Sequence, residues 1–362
     1  MGTLANYLRW RGDLSFKTSP FNILDEMVCS AIAYFDISDV YEKGKHQTLG
    51  EVLDKQLKDG TIKSTSLDAK DVAMEFIVSA ALSKRFRDAI IIDYEDHYDG
   101  EEDVQFAATT LQLDDGSLIV CFRGTDNSLS GWREDMMISF TKPKAQEMAR
   151  EYLVRNLKLF KKVYVCGHSK GANLALYAAA FLTDKQLEKV KAVYINDGPG
   201  LCEDVVSKEQ IQRIDSLACL VLPEDSVVGR IFEPELSNKV IVKSVNSGLM
   251  AHSIYSWEIE DNALVRTEEF SKSSDFIKES LNKYLDGKDL DERKEIVDKI
   301  FDVLKESGYE RLSDFKENGL SDLIAFYTKK LGESISSIKP KELLMSSVET
   351  IKSKIVKESS EE

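Results

Sequence analysis

The residues with the clearest capacity for chemistry form the pentapeptide GHSKG at positions 167–171. In the pattern GxSxG, a strand turns sharply into a helix and exposes the serine hydroxyl at the turn. A β-branched run at 163–166 precedes the pentapeptide, and an Ala- and Leu-rich run follows it. Both flanks are those that the pattern requires, so we predict Ser169 as a nucleophile rather than as a capping residue. The main-chain amide of Lys170, at the start of the helix, is predicted to face a developing oxyanion.

A nucleophilic serine needs a general base, and the chain has only four histidines. In folds built around this elbow, the order along the chain is serine, acid, histidine. His252 is the only histidine after Ser169, and it lies in a loop that follows the β-branched run at 239–245. We therefore predict His252 as the base. His168, inside the elbow, is expected to point away from the site and to have a packing role.

Two aspartates could orient this base, since each follows a predicted strand. Asp225 comes after the later strand, nearer to His252 in the chain, and we expect it to be the acid. Asp197, in the run NDGPG at 196–200, is the alternative. We expect its carboxylate instead to fix a turn ahead of Gly198 and Pro199, as Asx side chains commonly do.

The second donor to the oxyanion is predicted in the run FRGT at 122–125. Gly124 permits a tight turn after the strand, and Thr125 offers a main-chain amide. The run GWRED at 131–135 is expected to brace this loop. Arg123 lies close to Asp126 in the chain, and we expect a structural ion pair there rather than a contact with substrate.

These residues need elements that bring them together, and the sequence predicts a sheet covered by helices. The first hundred residues are mainly helical in pattern, and a hairpin is predicted over 105–122. Further strands are predicted at 162–166, 192–195, 218–222, 239–245 and 254–259, with helices at 169–181 and 203–214. Alternation of this kind predicts an α/β fold with a mostly parallel sheet flanked by helices.

The pattern changes near residue 270, where charged residues and apolar residues at helical spacing take over. One apolar stripe consists of Ile296, Ile300, Val303 and Leu304. We predict a sheet domain at 1–269 with a helical amino-terminal part, and a charged amphipathic helical appendage at 270–362. The appendage is expected to pack on the domain; binding of a partner protein or self-association is the alternative.

Composition excludes several classes of function. The chain has 48 Lys and Arg against 63 Asp and Glu, a formal charge of −15, which disfavours binding to nucleic acid or to anionic lipid surfaces. No run approaches the roughly 18 apolar residues of a membrane-spanning helix, and the amino terminus has no apolar signal region. Five scattered cysteines without a CxxC pair predict neither disulfides nor a metal site. We expect a cytoplasmic protein.

Taken together, FRGT, GWRED and GHSKG, followed by Asp225 and His252, resemble the class 3 lipase branch of the α/β-hydrolases. Lys170 stands where leucine is usual in that branch. With Asn173 and the run NDGPG, the chain more closely resembles a bacterial lipase-like family classed as a domain of unknown function, whose members carry GHSKGxN and NDGPG.

This resemblance covers about residues 100–260 and implies an α/β-hydrolase fold, a Ser–Asp–His triad and no cofactor. Thr125, Ser169, Asp225 and His252 fall on the family's motif positions. We expect a serine hydrolase that cleaves a carboxylic ester of a small molecule, a lipid or a lysolipid through an acyl-enzyme. An acyltransferase using the same residues is one alternative. A non-catalytic interaction or regulatory protein on a hydrolase scaffold is the other.

Overall fold

The computed structural model describes residues 2–62, 64, 70–99, 104–125, 133, 137–141, 144–157, 162–285, 287–295 and 297–298. The apolar stripe predicted at Ile296, Ile300, Val303 and Leu304 lies outside the described residues. So do Asp126 and all of the GWRED run except Arg133.

The amino-terminal part of the chain is helical, as predicted. Its helices are α1 (Leu4–Arg11), α2 (Ile23–Ile32), α3 (Leu49–Asp59), α4 (Lys70–Leu82) and α5 (Lys84–Arg87).

Helix α2 is fixed at its first turn by hydrogen bonds on both sides of its cap. The Asn22 side chain accepts from the Leu24 amide at 2.8 Å, and the Asp25 carboxylate accepts from the Asn22 amide at 2.9 Å. The same carboxylate receives two bonds from the buried Arg85 guanidinium, at 2.6 and 2.5 Å. This paired geometry fastens α2 to α5.

Ten strands follow within the described residues. They are β1 (Ile90–Asp99), β2 (Val104–Gln112), β3 (Leu118–Phe122), β4 (Val163–His168), β5 (Val190–Asn196), β6 (Ala218–Pro223), β7 (Lys239–Val242), β8 (Ile259–Glu260), β9 (Ala263–Leu264) and β10 (Arg266–Thr267). Eight of them form one sheet in the order β1-β2-β3-β4-β5-β6-β7-β10, and β8 pairs with β9. Neighbours from β3 to β7 are parallel, and the outer strands are antiparallel.

Helices cover both faces of this sheet, because its central strands are apolar on both sides. On β3, Val120 and Phe122 face one core, which is covered by α6 (Lys144–Leu157) and α7 (Lys170–Ala180). Ile119 and Cys121 face the other core, which the amino-terminal helices cover. Short helices α8 (Asp184–Leu187) and α9 (Lys208–Ile214) lie between later strands. The predicted mostly parallel sheet flanked by helices is confirmed.

One predicted strand is wrong in all but its last residue. Within 254–259, only the last residue belongs to a strand, β8, and Ile254–Ser256 form a short 3₁₀ turn. Two side-chain bonds to main-chain carbonyls hold this turn compact. The Ser256 hydroxyl donates to Ser253 O at 2.6 Å, and the Trp257 indole donates to Ala251 O at 2.9 Å. Such local bonds compete with strand pairing.

Helix α10 (Lys272–Leu285) returns to the sheet domain. The Ser274 hydroxyl donates to Ser226 O at 2.7 Å, and Asp275 pairs with Arg230 at 2.6 Å. Leu285 is buried in the core under α6 and α7. Among the described helices, none combines the length and apolar character needed to cross a membrane.

Candidate active site

The predicted elbow is present between β4 and α7. Ser169 joins them with φ 60° and ψ −129°, a conformation that costs a non-glycine residue about 1–3 kcal/mol and that its surroundings must therefore enforce. A Cβ on Gly167 would lie 2.2 Å from the carbonyl carbon of Gly171, and one on Gly171 would lie 2.1 Å from Phe122 O. Strand and helix thus approach as closely as the two glycines allow.

His252 is paired with an aspartate, and that aspartate is Asp197. The distance between His252 Nδ1 and Asp197 Oδ2 is 2.6 Å, and both side chains are buried. A carboxylate only accepts, so the proton of the imidazole sits on Nδ1. Nε2 then carries the lone pair that a general base needs.

The prediction that Asp225 contacts His252 is therefore wrong. Asp225 accepts a hydrogen bond from the Gly248 amide at 3.4 Å, at the start of the 3₁₀ turn that carries His252. It touches the histidine loop, whereas Asp197 touches the imidazole.

The physical reason lies in how Asp197 is held. Its backbone has φ 42°, which turns the side chain out of strand β5. Oδ1 then accepts from the Ser226 hydroxyl at 2.5 Å and from the Gly229 amide at 3.1 Å. The loop after β6 thus supplies donors to the acid rather than the acid itself. The expectation that Asp197 serves a turn through Asx bonding is replaced by this network.

His168 joins the elbow to the histidine loop. Its Nε2 donates to the main-chain oxygen of His252 at 2.7 Å, and its Nδ1 accepts from the Tyr34 hydroxyl at 2.8 Å. Burial lowers the pKa of His168 well below its usual value, and the nearby His252 lowers it further. The neutral form that these bonds require is thus the form that the surroundings favour. His168 is buried, as a packing role requires, but the expectation that it points away from the site is wrong, because its ring lies 4.6 Å from the His252 ring and has a hydrogen-bond partner at each nitrogen.

The loop after β3 begins beside the elbow, because Phe122 pairs with Gly167 in the parallel register of β3 and β4. A Cβ on Gly124 would lie 2.7 Å from His168 O and 2.1 Å from the Tyr34 hydroxyl. Thr125, the next residue, is buried, as is Lys170 at the first turn of α7. The two predicted oxyanion donors thus lie on segments that meet at the elbow, and their role stays a prediction.

Arg123 forms a structural ion pair with a strand of the sheet. Its guanidinium donates to both carboxylate oxygens of Asp96 on β1, at 2.6 and 3.0 Å. The expected structural role of Arg123 is therefore present, with Asp96 as partner.

Asn173 ties the two motifs GHSKGxN and NDGPG to each other. Its Nδ2 donates to Pro199 O at 2.9 Å and to Gly200 O at 3.2 Å. Its Oδ1 accepts from Gln146 on α6 at 2.9 Å. The helix that starts directly after Ser169 therefore fixes the loop that carries Asp197.

Sequence reasoning missed the part of the site that comes from the amino-terminal region of the chain. Tyr34 lies 134 residues before His168, and no local pattern marks it. Asp197 follows β5, the strand that pairs with β4, but no local pattern ranks it above Asp225. Across the described part of the chain, no group of three or more His, Cys, Asp or Glu side chains is arranged to hold a metal ion.

The mostly parallel sheet, the elbow after β4 and the helices on both faces define an α/β-hydrolase fold. The chain belongs to the Mbeg1-like family, whose sequence model matches residues 80–302. Among solved structures, the crystal structure of M37 lipase is similar, with 15% sequence identity and a TM-score of 0.39. The match covers 74% of this chain and 82% of the lipase chain. Among curated proteins, none matches significantly.

Proposed function

We propose that this protein is a serine hydrolase that cleaves carboxylic esters, with Ser169, His252 and Asp197 as its triad. The observation that carries the proposal is the buried pair of His252 Nδ1 and Asp197 Oδ2, 2.6 Å apart. It orients an imidazole on the loop that His168, the neighbour of Ser169, contacts directly. Asp197 here takes the role first expected of Asp225.

Acylation begins when Ser169 Oγ attacks the ester carbonyl carbon while its proton passes to His252 Nε2. Asp197 stabilises the imidazolium that forms. The carbonyl oxygen becomes an oxyanion, which the main-chain amides of Thr125 and Lys170 receive. When the carbon–oxygen bond to the leaving group breaks, His252 gives this proton to the leaving oxygen, and an alcohol departs.

Deacylation repeats these steps with water. His252 takes a proton from water as its oxygen attacks the acyl-enzyme, and then returns a proton to Ser169 Oγ as the carboxylic acid leaves. An acyltransferase would differ only in using an acceptor alcohol in place of water. Product analysis with and without an added alcohol separates the two activities.

A fluorophosphonate probe tests the proposal, because it reacts with an activated serine. We expect an adduct on the peptide that contains Ser169, located by mass spectrometry, and none in Ser169→Ala. Ser38→Ala, at an exposed position, serves as the matched control and should label as the wild type does. Hydrolysis of p-nitrophenyl esters of increasing acyl length then gives the substrate range. Folded wild-type protein that does not label would contradict the proposal and favour the non-catalytic alternative.

A further inference from the structure

Helix α2 carries a buried carboxyl group at the level of the site. The helix packs on β3 and β4, on the face of the sheet opposite to α7. Glu26, in its first turn, is fully buried. Its Oε2 accepts hydrogen bonds from Asn196 Nδ2 at 2.8 Å and from the Ser30 hydroxyl at 3.4 Å.

Two oxygens of this pair lack a donor. Among the residues that the structure describes, neither Glu26 Oε1 nor Asn196 Oδ1 has a hydrogen-bond partner, although both are buried. An unpaired buried acceptor is costly, and a carboxylate has no donor to offer Asn196. A proton on Glu26 turns the side chain into a donor as well as an acceptor.

The electrostatic surroundings favour this proton. Burial raises the pKa of Glu26 to about 8, although the hydrogen bonds from Asn196 and Ser30 oppose this increase. The charge of Asp25 adds to it. The other titratable groups that face Glu26 are Cys29 on its own helix, Tyr194 on β5 and Cys219 on β6. None of these is a cation, and Arg85, the nearest partner of Asp25, is bonded to that aspartate.

Asn196 connects this acid to the site. It is the last residue of β5, and its main-chain oxygen accepts a hydrogen bond from the Ser169 amide at 3.0 Å. The next residue is Asp197, with its left-handed backbone. A displacement of Asn196 would therefore move the nucleophile and the acid together.

We propose that Glu26, as a neutral carboxylic acid, is a positioning residue that holds Ser169 and Asp197 in place through Asn196. This inference rests on the proposed function. Glu26 lies outside the segment that the family match covers, since α2 precedes residue 80. Ionisation of Glu26 would bury a charge that, of the described groups, only the Asn196 amide and the Ser30 hydroxyl solvate. Relief of that cost would displace Asn196, so the reactivity of Ser169 falls as the pH rises through the titration of Glu26.

The test is the second-order rate of fluorophosphonate labelling between pH 6 and 9.5, in wild type, Glu26→Gln and Glu26→Leu. With a pKa of about 8, about ten in eleven Glu26 carboxyls carry a proton at pH 7 and about one in eleven at pH 9. The wild-type labelling rate should therefore fall about tenfold between these two pH values. Glutamine offers a donor and an acceptor at every pH, so the rate of E26Q, relative to its own value at pH 7, should not show this fall. E26L should label at least tenfold more slowly than E26Q at pH 7.

Tyr194→Phe and Cys219→Ser are the controls, since these groups also face Glu26. Both should keep the alkaline fall of the wild type. Wild type and E26Q with the same pH profile would overturn the positioning role while leaving the proposed function intact. If E26L does not fold, the comparison of the wild type with E26Q still tests the positioning role. Folded wild-type protein that labels at no pH would overturn the proposed function and the positioning role with it.

Discussion

The imidazole of His168 donates a hydrogen bond to the main-chain oxygen of His252, 2.7 Å away, and the two rings are 4.6 Å apart between centroids. The residue before the proposed nucleophile thus holds the loop of the proposed base. Tyr34 completes the arrangement by donating to the other nitrogen of His168. Its hydroxyl also lies against Gly124, so one phenol touches the elbow and the loop of Thr125.

Tyr34→Phe should therefore slow catalysis without weakening substrate binding. The change leaves His168 Nδ1 buried without a donor, at a cost of about 1–3 kcal/mol in the free energy of unfolding. We expect kcat for a p-nitrophenyl ester to fall about tenfold while KM changes little. Tyr41→Phe, at a partly exposed ring, should leave both constants as in the wild type. A change in KM alone would contradict the positioning role of Tyr34.

Aspartate-to-asparagine variants separate the two acids. In Asp197→Asn, Ser226 and Gly229 hold the remaining oxygen. An NH2 donor then faces His252 Nδ1. This donor favours the wrong tautomer, and kcat should fall by about 10³–10⁴-fold.

Asp225→Asn keeps an oxygen that can accept from Gly248, and we expect a loss below about tenfold, since only the approach of the loop is disturbed. Steady-state rates of both variants with one activated ester show which aspartate orients His252. The reverse order of effects would return the acid role to Asp225.

The buried carboxyl of Glu26 should also be visible in stability. Its pKa is raised from 4.5 to about 8, so between these values the folded protein keeps a proton that the unfolded chain has lost. The free energy of unfolding of the wild type should therefore decrease relative to Glu26→Gln as the pH rises, by up to about 1.4 kcal/mol per pH unit. The difference should level off above pH 8.

Urea unfolding at pH 5, 6, 7, 8 and 9 measures this dependence. Glu260→Gln, an exposed position on β8, is the control and should track the wild type across the series. A difference in unfolding free energy between wild type and E26Q that stays constant over this range would show that the pKa of Glu26 is not raised in the folded protein.

Asn173→Ala should weaken the fold and the site together. It leaves the carbonyls of Pro199 and Gly200 without their donor and removes the acceptor of Gln146. We expect a loss of about 2–4 kcal/mol in unfolding free energy and a lower rate of Ser169 labelling, because the loop of Asp197 is released. Asn262→Ala, in the exposed turn between β8 and β9, should change neither. Labelling at the wild-type rate in folded N173A would show that this loop holds its place without Asn173.

Much of the fold could be predicted because hydrophobic patterning is local. Alternation of β-branched runs with Ala-rich runs placed β4 and α7, and GxSxG between them placed the elbow. The acid could not be chosen in this way, since Asp197 and Asp225 both end a strand. What separates them is that Ser226 and Gly229, in the segment that follows β6, donate hydrogen bonds to Asp197. That is a tertiary relationship, and the sequence around either aspartate does not contain it.

The hydrogen bonds from Tyr34 to His168 and from Asn196 to Glu26 close loops of 134 and 170 residues. Contacts of such sequence separation form late and slow folding, because the chain between them must be ordered first. Ser169 therefore reaches its final geometry only after the amino-terminal helices have docked on a sheet that is translated after them. During synthesis, the chain passes through a period in which Ser169 exists without the supports that the proposed mechanism requires.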